Sequence, residues 1–225
     1  MTACRFSLLI FLLLCGSISA WSQERILSEE EFTQVAGAAQ RMSSIAPYRI
    51  TIRSEEFEKS RSNQAAMSVT EISESQSEDR HRTLRIATGA GLTRKIETIR
   101  IGSDSFERID DEQWKRKEKD SGSGGGRGIW GDPVPLKKKE FTFRYLGKDL
   151  VNSIEADFYE SRKFREYEST SFPDAYTIVD RFWVNSKGKL LKKETENIAA
   201  DGSLRYRMNT HYEYPANIKI EAPIK

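Results

Sequence analysis

Leu204-Arg205-Tyr206-Arg207-Met208-Asn209-Thr210-His211-Tyr212-Glu213-Tyr214 decides the fold class. Leu204, Tyr206, Met208, Thr210, Tyr212 and Tyr214 alternate with Arg205, Arg207, Asn209, His211 and Glu213, and a period of two sends the two sets to opposite sides of a strand. One side is greasy and aromatic and the other wet, as in an antiparallel strand with one buried face. Phe141, Phe143 and Tyr145 against Thr142 and Arg144 repeat the pattern, and so do Tyr176, Ile178, Phe182 and Val184 against Thr177 and Arg181. Weaker alternation marks Tyr48 to Arg53, Met67 to Ile72, Arg82 to Ala87, Arg94 to Ile101, Ser105 to Ile109, Gln113 to Lys115, Val151 to Tyr159, Lys189 to Thr195 and Asn217 to Ile220.

Turn signals separate these runs at Gly89-Ala90-Gly91, Gly102-Ser103-Asp104, Asn185-Ser186-Lys187-Gly188 and Asp201-Gly202-Ser203, so an up-and-down meander of about a dozen strands is expected. Upstream of the first strand the period is that of a helix. Ser28-Glu29-Glu30-Glu31 is a capping box, Phe32, Val35, Ala36, Ala39 and Met42 form one apolar stripe, and Pro47 prevents continuation. The segment 117–139 breaks the rhythm: six glycines lie between Ser121 and Gly131, followed by Pro133 and Pro135, which predicts a flexible linker or flap, with an apolar finger at Trp130 as a secondary reading.

The amino end has the order of a secretory signal peptide: Arg5, an apolar run from Leu8 to Leu14, then the small-residue stretch Gly16 to Ala20. Residues 1–20 are expected to be cleaved, leaving 21–225 as one exported domain, periplasmic or secreted. The apolar run is shorter than the roughly 20 residues that span a bilayer. Lipidation at Cys15 fits less well, because Leu14 stands where a small residue is normally required. Both cysteines, Cys4 and Cys15, lie in this segment, so the mature chain would have no disulfide, thiolate metal site or cysteine nucleophile. Lysines and arginines number 36, Arg5 among them, against 34 aspartates and glutamates, interspersed along the chain, so no nucleic-acid partner is expected.

Catalytic and metal-binding patterns are sparse. His81 and His211 are far apart and strand-like in context, with no second ligand at metal spacing. Gly102-Ser103-Asp104-Ser105-Phe106 lacks the second glycine of a nucleophile elbow, and Asp110-Asp111-Glu112 beside Arg108 and Lys115 reads as a solvated turn. The glycine-rich segment has no closing Gly-Lys-Ser or Gly-Lys-Thr, so it is not a phosphate loop. No catalytic residue, metal ligand or cofactor is expected.

In their order, several pieces resemble the lipoprotein-carrier superfamily, the LolA-like exported proteins that include outer-membrane lipoprotein-sorting proteins. The series begins with the amino-terminal helix and Pro47-Tyr48-Arg49-Ile50, then Ile99-Arg100-Ile101-Gly102 with Phe106 and Trp114, then Phe141-Thr142-Phe143. It continues through Gly147 to Ile154 and Tyr159 to Phe182-Trp183-Val184-Asn185 and Gly188-Lys189-Leu190-Leu191-Lys192-Lys193-Glu194. It closes with His211-Tyr212-Glu213-Tyr214 and Ile218-Lys219-Ile220-Glu221-Ala222-Pro223. The resemblance implies a mainly β (α+β) fold, a long curved antiparallel sheet forming an incomplete half barrel with the N-terminal helix on its concave side. It also implies an apolar cavity for the acyl chains of lipid or lipoprotein.

One helix of about 15 residues cannot shield about a dozen strands, so the sheet must curl upon itself, stack as a sandwich or leave an apolar hollow, and the last of these would hold a guest. Phe32, Val35, Phe141, Phe143, Tyr145, Phe182, Val184, Tyr206, Met208 and Tyr212 are the candidate lining. The expected protein is a monomeric, non-catalytic carrier in transient contact with a membrane. The alternative is an envelope module whose curved sheet recognises a partner protein.

Overall fold

The computed structural model describes residues 24–58, 65–117, 136–167 and 175–224. Its frame is one antiparallel sheet of 12 strands. In chain order the strands are β1 (Arg25–Ile26), β2 (Tyr48–Phe57), β3 (Ala65–Ser77), β4 (Arg80–Gly89), β5 (Leu92–Ile101), β6 (Asp104–Ile109) and β7 (Lys115–Lys117). They continue as β8 (Leu136–Val151), β9 (Ile154–Tyr167), β10 (Ala175–Asn185), β11 (Leu190–Ala199) and β12 (Leu204–Glu213). The helix, α1 (Glu29–Ser43), lies between β1 and β2 in the chain.

The spatial order is β1-β8-β9-β10-β11-β12-β2-β3-β4-β5-β6-β7. The sheet is therefore two meanders, β2 to β7 and β8 to β12, joined where β12 pairs with β2 (Tyr212 opposite Ile50, Thr210 opposite Ile52). That differs from the single meander the turns suggested, because short turns reveal which neighbours are local and say nothing about the pairing of chain-distant edges. The sheet does not close: β1 and β7 are its opposite edges, and the architecture is the curved, incomplete barrel with one helix that was expected.

Two runs differ from expectation. Val151 to Tyr159 is not one strand but a hairpin, reversing at Asn152 and Ser153, whose φ values are +49° and +66°. A primed two-residue turn of this kind needs positive φ at both positions, and asparagine tolerates it better than most residues. Asn217 to Ile220 is not a strand at all. It is an extended tail whose Ile218 and Ile220 pack on Ile99, Phe106 and Ile101, and side chains hold its backbone: Gln76 Oε1 accepts from the Ile220 amide at 2.8 Å, and Arg80 donates to the Ile220 carbonyl at 3.0 Å. Of the expected 117–139 loop, Lys117 ends β7 and residues from Leu136 onward belong to β8; residues 118–135, with Trp130, lie outside the described residues, as does the expected signal peptide.

Helix α1 begins as its sequence dictates. The Glu31 amide donates to Ser28 Oγ at 3.1 Å and the Ser28 amide to Glu31 Oε2 at 2.8 Å, satisfying two donors that the first turn leaves open. The bond from the Ser28 amide holds the Glu31 carboxyl below its usual pKa range. At the other end Ser43 is buried. Its hydroxyl donates to the Ala39 carbonyl and accepts from the Leu190 amide, both at 2.7 Å, and so ties the last helical turn to β11.

Candidate functional site

Register assigns every strand residue to one of two faces, since directly opposed residues project to the same side. On the face that α1 covers, Tyr145 opposes Tyr159, which opposes Phe182. Phe143 opposes Ser161, and Tyr212 opposes Ile50. A bulge between Trp183 and Val184 shifts the pairing with β11, so Leu190 joins this face while Leu191 and Lys192 join the other.

Phe32 of α1 sits at the centre of the covered face. Its ring centroid is 4.9 Å from that of Phe143 and 5.2 Å from that of Phe182, the latter edge-on. Phe182 stacks on Tyr159 at 5.0 Å, and Tyr159 lies 5.2 Å from Tyr145. Leu27, Phe32, Ala39, Phe143, Phe182, Val184, Leu190 and Tyr212 form the buried cluster, with Val35, Ala36, Ile50, Phe141, Tyr145, Tyr159 and Tyr214 packed against it. Burial pushes the Tyr212 hydroxyl up to about 12, with the neighbouring Tyr214 adding to the effect. Tyr214 donates to the Leu190 carbonyl at 2.7 Å.

Eight of the ten candidate residues thus meet in one place: Phe32, Val35, Phe141, Phe143, Tyr145, Phe182, Val184 and Tyr212. Tyr206 and Met208 share the face but lie outside this cluster. They oppose Glu56 and Ser54 on one side and Asn197 and Thr195 on the other, toward the end of the sheet where β2 finishes. There the face continues as Phe141, Ile178, Met208 and Tyr206, all half-buried, and no described helix covers them. On this face Ser161 Oγ and Asn197 Oδ1 are buried with no hydrogen-bond partner among the described residues.

The opposite face has different chemistry, and sequence reasoning saw it only as the wet side. Glu160 on β9 is nearly buried and is held by Arg144 of β8, by Arg162 at 3.0 Å and by Arg181 of β10 at 2.9 Å. Arg181 reaches Glu196 of β11 at 3.1 Å, and Glu196 meets Arg207 of β12 at 3.3 Å. A second chain starts at Glu213, which meets Arg49 of β2 at 3.3 Å. It runs to Glu74 of β3 at 2.7 Å and Arg82 of β4 at 3.7 Å, then to Glu97 of β5 at 2.6 Å and Arg108 of β6 at 2.6 Å. Arg108 ends on the Trp114 ring, 4.9 Å from its centroid.

For Glu97 and Glu160 burial acts to raise the pKa, but the arginine hydrogen bonds outweigh it and hold both carboxyls below the usual range. The signal for these chains was present in the alternation of arginine and glutamate, but which rung meets which depends on strand order.

Of the residues weighed for catalysis, His81 and Asp110 have structural partners. His81 contacts the Glu78 carbonyl at 2.8 Å, and Asp110 accepts from the Lys95 amide at 2.8 Å. Gly102 has φ +57° in the turn between β5 and β6. Among the described residues no group of three or more histidine, cysteine, aspartate or glutamate side chains is placed to hold a metal, and no helix is long and apolar enough to cross a membrane. Clefts occur at the end of the sheet and beside the C-terminal end of α1. One of about 400 Å³ at the turn between β4 and β5 is lined by Met67, Ala87, Ala90, Leu92 and Arg94, and one of about 670 Å³ lies beside Tyr48, Ser75 and His81.

No family model matches this sequence, and no curated protein does. Among solved structures the chain is similar to an outer membrane lipoprotein-sorting protein domain from Vibrio parahaemolyticus, at 11% identity and a TM-score of 0.29 over 85% of this chain and 95% of that one. It is also similar to a DUF1329 family protein from Desulfovibrio piger, at 11% identity and a TM-score of 0.27 over 84% of this chain and 95% of that one. Likeness at these scores assigns no activity.

Proposed function

We propose that residues 21–225 form an exported, non-catalytic carrier that shields the acyl chains of a lipid or lipoprotein on the helix face of its sheet. Residues 1–20 are its cleaved signal peptide. The observation that carries this reading is a single aromatic surface extending past its only described cover. Under α1 it is closed by Phe32, and beyond α1 it continues through Phe141, Ile178, Met208 and Tyr206.

An acyl chain gains about 0.8 kcal/mol for each methylene removed from water. A chain crossing an aqueous compartment therefore needs a surface that solvates it about as well as a membrane does. Because Phe32 fills the centre of the face, the chain would enter alongside α1 or by displacing it. The helix is suited to this, being fixed to the sheet by one apolar stripe, by the hydrogen bond from the Leu190 amide to Ser43 and by the ion pair of Glu31 with Arg25 of β1 at 3.9 Å. In this reading the carrier works as a monomer, touches membranes transiently and uses no cofactor.

Incubating the mature chain with a membrane extract and weighing it by native mass spectrometry tests the reading. Adducts of lipid mass support it, and their repeated absence contradicts it.

A second reading, a module that binds an envelope protein, is favoured by the edge of β8. Only Phe143 to Tyr145 of that strand are bridged by Leu27 and β1, which leaves the stretch from Leu136 to Thr142 without a described neighbour on that side. Recovery of a stoichiometric protein partner with no lipid from the exporting cell supports that reading over the first.

A further inference from the structure

Lys192 and Lys193 are neighbours in β11 and project to opposite faces of the sheet. Lys192, on the face away from α1, is fully engaged: its Nζ lies 2.6 Å from Glu194 Oε1 and 4.6 Å from the centroid of the Trp183 ring. Lys193 stands on the helix face, directly opposite Phe182 of β10 on one side and Thr210 of β12 on the other. It is half-buried, and among the described residues its ammonium has no hydrogen bond, ion pair or ring contact. Other lysines on this face have partners: Lys163 Nζ lies 3.5 Å from Asp180 Oδ2, and Lys139 Nζ lies 4.4 Å from the Phe141 ring centroid. Asp180, one rung away from Lys193, accepts from Thr195 at 2.7 Å and pairs with Lys163 instead.

Thr210 supplies the second half of the site. It is buried, with 4% of its surface exposed, yet its hydroxyl has no hydrogen-bond partner among the described residues. An ammonium carries three donors, and a hydroxyl one donor and two acceptor positions. Leaving them unmet beside an aromatic surface costs free energy that a ligand oxygen would recover. Phe182 ties the pair to the aromatic row, with its ring 5.2 Å from Phe32 and 5.0 Å from Tyr159. Met208 follows Thr210 on the same side of β12, toward the part of the face that α1 leaves uncovered.

We infer that Lys193 and Thr210 bind the carboxylate of a free fatty acid, whose chain lies over Met208 and the uncovered aromatic surface beyond it. The inference rests on the carrier reading and adds the head-group chemistry to it. One ammonium and one hydroxyl match a head of single charge with two oxygens, one accepting from Nζ and the other from Oγ1. An alcohol of equal chain length offers no charge to the ammonium.

The test is calorimetric titration of the mature chain with dodecanoate, 1-dodecanol and dodecyl phosphate, probes of equal chain length, each kept below its micelle concentration. The expected result is about tenfold tighter binding of dodecanoate than of dodecanol. In Lys193→Gln that preference should disappear, and in Lys193→Arg it should persist, with far-UV circular dichroism confirming that the variants fold. Thr210→Val, which keeps the side-chain shape and removes the hydroxyl, should weaken dodecanoate about threefold; unchanged binding there overturns the pairing of the two residues. Equal affinity of the native chain for dodecanoate and dodecanol overturns the carboxylate inference and leaves the carrier reading standing, as does a preference that survives Lys193→Gln. Tighter binding of dodecyl phosphate than of dodecanoate overturns the carboxylate in favour of a phosphate head. Displacement of dodecanoate by millimolar acetate overturns the amphiphile in favour of a small anion. Binding of none of the three probes overturns the carrier reading itself.

Discussion

The two faces of the sheet are held together differently. On one, α1 is held by aromatic contact between Phe32, Phe143 and Phe182; on the other, no helix is described, and arginine and glutamate side chains run from strand to strand beside two smaller apolar clusters, one around Trp183 and Leu191 and one around Ile99 and Phe106. Apolar contact is non-directional and can be exchanged for contact with another apolar body, whereas an ion-pair ladder works only in its own geometry. The ladder face therefore suits a permanent scaffold and the helix face suits exchange, the two properties that the proposed carrier role requires.

Removal of the central ring should have the largest effect. Phe32→Ala should destabilise the protein by about 3–5 kcal/mol, the usual cost of deleting a buried phenylalanine, and chemical denaturation will read the loss. If the native chain already exchanges α1 for a guest, saturating lipid should recover part of it. On the ladder face, Glu160→Gln leaves three arginines around a neutral amide, and a loss of about 2 kcal/mol is expected from hydrogen bonds to charged groups.

The faces should also answer oppositely to pH. Glu97 and Glu160 titrate below their ordinary range, so their contribution is complete above the unfolded value of about 4.3 and is lost as pH falls through the lower folded values. Tyr212 titrates at about 12, so its contribution is complete below the unfolded value of about 10 and is lost as pH rises toward the folded one. Melting temperatures measured across pH should therefore fall at both extremes. Glu97→Gln and Glu160→Gln should flatten the acid limb, and Tyr212→Phe the alkaline one.

The smallest effect is expected at the start of the helix. Ser28→Ala removes the cap at a cost of about 1 kcal/mol, and amide exchange should show it in the first turn of α1 while the β9 to β11 ladder keeps its protection.

Local patterns carried the sequence reading far. The Ser28 to Glu31 box and the stripe from Phe32 to Ala39 placed α1, and the alternation in Leu204 to Glu213 placed β12 and assigned its faces. What failed was non-local. Ile218 and Ile220 alternate as a strand would, yet the Gln76 and Arg80 side chains satisfy the Ile220 backbone groups, and a tail results. The pairing of β12 with β2 leaves no local trace, and with it the second ladder, from Glu213 through Arg49 to Arg108, stayed hidden. For the same reason Tyr206 and Met208 were grouped with Tyr212. They share its face by parity, but α1 crosses only one end of that face, and the helix path depends on where Ser43 meets Leu190.

Where an acyl chain lands on the sheet decides between the two faces. A photoreactive palmitate, bound to the mature chain, irradiated and mapped by peptide mass spectrometry, should label the helix face at Phe143, Tyr159, Phe182 or Met208, and excess palmitate should compete the label away. Label on Phe158 or Trp183, which stack on each other at 4.6 Å on the ladder face, or label that excess palmitate does not displace, would contradict the account.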